Sequence, residues 1–296
     1  MKKNNLKAGV VMMTVACALG MTGCGQSEAD AQSAETSAAE ESSMAADEST
    51  AASAESTEKD QLARIQEKGE IVVAMEGTWA PWTYHDESDQ LVGFDVEVAE
   101  KIAEKLGVKA TFVEAEWDGL FAGLDAQRYD MVVNGVEITD ERAEKYDFTN
   151  PYAYIRTAII VKNDRTDINT FEDLNGKKTA NTLSSTYTQL AESYGAEAVG
   201  VDSLDQTIDL VLAGRVDATL NAEVSYYDYM NQHPDAPLKV VALTDEASRV
   251  SIPLRKDADS ASLLAAVNTA IDELNQSGDL AVISEKYFGN DITKSE

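Results

Sequence analysis

The residue best placed to do chemistry is Arg142, which follows an Asn134-Gly135 pair and a threonine, Thr139, three positions before it. Met131, Val132 and Val133 form a short apolar run that reads as a buried strand. Asn-Gly at its end gives a tight turn with bare backbone at the tip. Thr139 then serves as the N-cap of a helical turn. The result is a guanidinium beside free backbone N–H groups at a helix start. That arrangement suits a small carboxylate, because Arg offers a planar two-pronged donor and the helix end adds positive potential. From this turn alone, a capped surface helix with a solvated Arg fits equally well.

The elements that must position Arg142 alternate between strand-like and helix-like along the chain. Residues 71–75 read as a buried strand. Asp95 is placed to cap a helix with Val98, Ile102 and Leu106 on one face and Gly107 as its stop. A strand over 109–113, a helix over 117–127 and a strand over 129–134 follow. A second set begins near Arg156, with strands over 157–161, 177–182, 216–220 and 239–243. Its helices cover 171–174, 186–194, 203–213 and 223–231, and a further strand and two helices, 260–276 and 279–287, close the chain. Such alternation predicts an α/β fold with helices covering a mostly parallel sheet, and ligands held at the carboxyl ends of strands. Those ends are 76–82 and 134–142. About 235 globular residues exceed one comfortable core, so two lobes are expected.

The wording of several segments is familiar. ITDER (138–142) followed by YDFTNPY (146–152) resembles the signature of the family 3 extracellular solute-binding proteins, the amino-acid receptors of ABC importers. EGTWAPW (76–82), LVGFD (91–95), WDGL (117–120), GRVDA (214–218) and SEKYF (284–288) match other family motifs in the expected order. The resemblance runs from about residue 61 to 291. It implies a two-lobed, periplasmic-binding-protein-like (type II) α/β fold, with lobe one formed by 61–155 and 249–296 and lobe two by 156–248. The chain would cross between them near 153–157 and 243–249.

The same resemblance implies a free amino acid between the lobes. Arg142 matches the clamp on its α-carboxylate, with Asn134 and Gly135 beside it. Trp79 and Trp117 match aromatics that sandwich the ligand side chain. Thr186 matches a carboxylate donor from the opposite wall, and Glu76 an acid that reads a distal polar group. Trp82, beside Pro81, is assigned to the core, and each of the other two indoles also fits a packing role. Two departures from the family pattern stand out. Glu137 occupies a position that is usually Ser or Thr. Ala222 occupies the place of an Asp that holds the ligand ammonium. An unpaired buried ammonium is costly, so either Glu137 or Glu223 takes over, or the ligand is not an ordinary α-amino acid.

The N-terminus carries Lys2, Lys3 and Lys7 before an apolar run over 8–19, too short to span a bilayer comfortably. It ends in MTGC, residues 21–24, which resembles a lipoprotein cleavage box with Cys24 as the lipidated first mature residue. An ordinary signal peptide with an incidental Cys, or a short anchor, is the alternative. Residues 24–60 read as that Cys and an acidic Ser/Ala-rich tether, too poor in apolar side chains to fold, with an end-to-end distance on the order of 35 Å. The two cysteines are Cys17 and Cys24, so a mature chain would have no disulfide. The formal charge is −29. Removing residues 1–23 takes three Lys and no acid, which makes it −32. That excludes nucleic acid and anionic membrane surfaces as partners.

These features together predict a monomeric, lipid-anchored receptor on the outer face of the cytoplasmic membrane. It would deliver a polar amino acid, cystine or a neutral one favoured, to an ABC permease, with no cofactor and no metal. A basic amino acid is the main rival ligand, given Glu76 and Glu137. A cyclohexadienyl dehydratase on the same fold is the enzyme alternative. It would need a general acid or base, and His85 and His233 lie outside the ligand motifs. A sensor ectodomain is not expected, since no span follows residue 288.

Overall fold

The computed structural model describes residues 59–295. The leader, Cys24 and most of the tether lie outside the described residues. Asp60 caps the first helix, Gln61–Lys68, by accepting the Ala63 N–H at 2.9 Å, and Gly69 ends it in the left-handed region at φ 75°. The chain then enters the strand Glu70–Met75, the centre of a parallel three-stranded sheet flanked by Lys109–Glu114 and Met131–Val132. Side chains alternate across a strand, and here both faces are covered. Ile71, Val73 and Met75 join a core that includes Val98 and Ile102 of the helix Phe94–Leu106. Ala74 and Val132 pack instead with Leu120 and Leu124 of the helix Trp117–Asp125. The continuous apolar runs follow from that double burial.

The chain has two lobes. In the second, the strand Thr157–Lys162 pairs antiparallel with both Thr219–Ala222 and Leu238–Leu243. Lys178–Asn181 and Glu197–Gly200 pair in parallel, and a parallel bridge between Thr179 and Ala218 joins this pair to the rest. Strand directions in this lobe are therefore mixed, where the alternating elements predict mostly parallel ones. Thr157–Lys162 runs away from the cleft edge where the chain arrives, whereas the strand–helix units after it run towards that edge. The strands Ala153–Ile155 and Ser248–Val250 pair antiparallel, and the chain then returns to the first lobe. There the helices Ala261–Ser277 and Asp279–Phe288 pack on Phe94–Leu106. Leu263, Val267, Ala270, Ile271 and Leu274 form the buried stripe of the longer one.

Two local expectations change. Asp95 does not cap its helix; the N-cap is Gly93, and Asp95 is fully buried one residue inside. The strand expected over 129–134 is ladder-paired only at Met131–Val132, because the chain beyond it turns into the cleft.

Candidate functional site

The wall on the first lobe is built where two neighbouring parallel strands end. Asn134 is fully buried and ties them together. Its Oδ1 accepts the Glu76 backbone N–H at 2.7 Å and its Nδ2 donates to the Glu76 carboxylate at 2.6 Å. This one side chain holds the strand ends together and aims Glu76. Gly135 follows at φ 56°, and its N–H donates to the Asp95 carboxylate at 2.6 Å. A Cβ at Gly135 would lie 2.5 Å from a Trp79 ring carbon. Glycine is therefore required twice there, for its conformation and for the indole that rests on it. Trp79 stacks on Trp82, with ring centres 5.2 Å apart and planes at 18°.

Arg142 sits in the helix Asp140–Lys145, capped by Thr139, whose Oγ1 accepts the Arg142 N–H at 3.2 Å. The guanidinium donates to the Glu137 carbonyl at 3.0 Å and lies over the rings of Trp117 and Phe121, 5.1 and 5.6 Å from their centres. Burial lowers its pKa and Glu137 raises it, and an arginine stays charged under such pressure. Trp117 thus presents its face to the arginine. Those contacts leave the remaining guanidinium N–H groups as donors towards the cleft.

The second lobe supplies the other wall. Ser185 caps the helix Thr186–Ser193. Thr186 Oγ1 donates across the cleft to the Glu137 carboxylate at 2.7 Å. The Trp79 indole donates to Asn221 Oδ1 at 3.2 Å. Between the walls lies a cavity lined by residues of both lobes. Glu76, Trp79, Trp117, Gly135, Glu137, Arg142 and Thr186 all line it. Asn134 does not, because it lies behind Glu76. Glu223 does not either; it opens the helix Glu223–Gln232 and its N–H donates to the Arg156 carbonyl at 3.0 Å. Ala222 is buried and brings no carboxylate.

Sequence reading missed most of the second wall, including Asn181, Asp202, Ser203, Thr207 and Asn221. Asn181 ends its strand, Asn221 is next to last in its own, and Asp202 and Ser203 follow a strand and precede a helix. The rule that ligands sit at strand ends points to all four, once the strands are correctly bounded.

The cavity holds three carboxyl groups, Glu76, Glu137 and Asp202, against the one guanidinium of Arg142. Burial pushes the Glu76 carboxyl up to about 7, opposed by the hydrogen bond from Asn134 and aided by the charge of Asp118. Near neutrality Glu76 therefore exchanges between a donor and an anion. No histidine lines the cavity, and among the described residues no group of three His, Cys, Asp or Glu is placed to hold a metal.

A sequence profile of the bacterial extracellular solute-binding proteins, family 3, matches residues 71–290. The chain belongs to that family. This family 3 protein is 39% identical over 236 residues to the L-cystine-binding protein TcyA of Bacillus subtilis (strain 168), covering 79% of this chain and 87% of TcyA. Its fold matches an ancestral arginine-binding protein bound to arginine with a TM-score of 0.70 at 35% identity, covering 75% of this chain and 99% of that one. It also matches the L-cystine solute receptor of Neisseria gonorrhoeae in the unliganded open conformation, at 41% identity but a TM-score of 0.55, covering 78% and 98%. The geometry is thus nearer to the ligand-bound relative than to the open one, although the open one is nearer in sequence. The hydrogen bonds across the cleft agree: the lobes of this family 3 protein are closed on one another. Family membership also makes it extracytoplasmic.

Proposed function

We propose that this protein captures a free polar amino acid between its lobes and delivers it to an ABC permease at the outer face of the cytoplasmic membrane. It would act as a monomer, held there by lipid on Cys24. The paired strands Ala153–Ile155 and Ser248–Val250 would form the hinge between lobe one, 61–155 with 249–296, and lobe two, 156–248. The observation that carries the reading is Arg142 facing a cavity beside Glu137, whose carboxylate is already engaged from the other wall by Thr186. A zwitterion entering there would put its carboxylate on the guanidinium and its ammonium on Glu137, giving each an opposite charge where it now has a backbone carbonyl or a hydroxyl as partner. Trp79 would cover its stem.

Cystine or a neutral polar amino acid is the favoured ligand, since two relatives are named for L-cystine and a protonated Glu76 suits a neutral distal group. A basic amino acid is the second reading, favoured by three carboxyl groups facing one guanidinium. Membership in a family of transport receptors supports binding without turnover. A thermal-shift screen of the purified protein against the common amino acids, L-cystine and L-arginine tests both. A rise in melting temperature is expected with cystine or a neutral polar amino acid. A rise with arginine and lysine alone selects the second reading, and no response to any free amino acid refutes both.

A further inference from the structure

Trp82 and Ser225 are both wholly buried, 143 residues apart, and on different lobes. The Trp82 indole N–H donates to Ser225 Oγ at 3.2 Å. Trp82 is held by its own lobe: its ring packs against Phe94 and Phe288 and stacks on Trp79. Ser225 lies in the first turn of the helix Glu223–Gln232. Neither residue lines the ligand cavity. The stacked indoles of Trp79 and Trp82 thus send two N–H donors into the second lobe, one to Asn221 at the cavity wall and one to Ser225 behind it.

We propose that the Trp82–Ser225 hydrogen bond is a latch that sets how far this protein closes in the absence of ligand. When the lobes part, both groups meet water and lose nothing. When they close, both are dehydrated, and each has the other as its partner. A buried polar group that loses its partner bears its full desolvation penalty. Trp82 also packs its own lobe, so it is removal of the Ser225 hydroxyl that acts on the closed state alone. A binding protein whose competent state is thinned in this way shows a proportionally weaker apparent affinity, so Trp82 and Ser225 would be positioning residues that never touch the ligand. The inference rests on the two lobes closing and not on which solute is bound.

The test uses the ligand-free protein with its three tryptophans labelled at the indole nitrogen, and reads hydrogen exchange of the indole N–H groups by NMR. In the wild type the Trp82 indole should exchange slowly. Ser225→Ala should speed exchange at both Trp82 and Trp79 by roughly 5- to 150-fold, the range set by an unpaired buried donor. The backbone amides of the strand Glu70–Met75 should keep their rates, and Ser225→Thr should restore most of the protection. Four results would overturn the proposal: a wild-type Trp82 indole exchanging like an exposed one, unchanged rates in Ser225→Ala, acceleration confined to Trp82, or equal acceleration of the core amides. The last two would mark the bond as local packing or as part of the global fold. Because no ligand enters the experiment, it stands or falls separately from the amino-acid reading.

Discussion

Arg142 is the side chain on which the binding account depends. Its guanidinium is ordered by the Glu137 carbonyl and two aromatic faces of its own lobe. Arg142→Ala should weaken binding by at least about 3 kcal/mol, over a hundredfold, because it leaves a buried carboxylate unpaired. Arg142→Lys should lose nearly as much, since a point ammonium cannot copy the two-pronged donor. Calorimetry on folded variants reads both. Glu76 makes a different prediction. Its folded pKa of about 7 lies above its ordinary 4.5. Below 4.5 the group is protonated folded or unfolded and contributes nothing. Between 4.5 and 7 the unfolded chain releases the proton first, so stability falls as pH rises, by up to about 3 kcal/mol. Asp95, also pushed up to about 7 by burial, acts in the same direction. Melting temperatures from pH 5 to 8 should drop in the wild type and drop less steeply in Glu76→Gln. Parallel curves would show that Glu76 is ionised throughout. At this scale the cap was legible, because Thr139 and Arg142 lie three residues apart. The role of Asp95 was not, because its partners Gly135 and Tyr152 are 40 and 57 residues away.

The elements deliver these side chains by ending where they do. Two parallel strands stop at the cleft and Asn134 locks their ends, so Glu76 and Gly135 emerge side by side. The six-residue helix Asp140–Lys145 has no buried residue to anchor it and depends on its cap. Thr139→Ala should therefore lower stability by about 1 kcal/mol and also weaken ligand binding, although Thr139 touches no ligand, by letting Arg142 drift. Equal affinity in that variant, by calorimetry, would mean that the aromatic faces alone hold the guanidinium. Most helices could be read from apolar periodicity, and the central strands from continuous apolar runs, since both of their faces are buried. The exceptions have separate causes. Glu197–Gly200 is an edge strand with no fully buried residue, so it carries no apolar signal. The reversed course of Thr157–Lys162 is a matter of where the chain enters the lobe, and a single segment does not encode that.

At the level of the whole molecule, the formal charge of −29 opposes adsorption to an anionic surface. The proposed attachment would then come from another source, for which Cys24 is the candidate. Cys24→Ala should abolish labelling by palmitate in cells, while equal labelling would remove the lipid anchor from the account. Closure joins the scales: side chains from the two lobes meet across the cleft at Trp79–Asn221, Trp82–Ser225 and Glu137–Thr186. The sequence carried the family motifs but not these pairings, which form only between distant segments.

Glu137, and not Glu223 of the second lobe, is proposed to receive the ligand ammonium. Calorimetric titration of wild type, Glu137→Gln and Glu223→Gln tests it most directly, using the amino acid that most raises the melting temperature and its des-amino analogue. The account predicts that Glu137→Gln weakens the amino acid by roughly 2–4 kcal/mol and narrows its advantage over the analogue, while Glu223→Gln changes neither. An undiminished advantage in Glu137→Gln, with the loss appearing in Glu223→Gln, would contradict it and return the ammonium site to the second lobe.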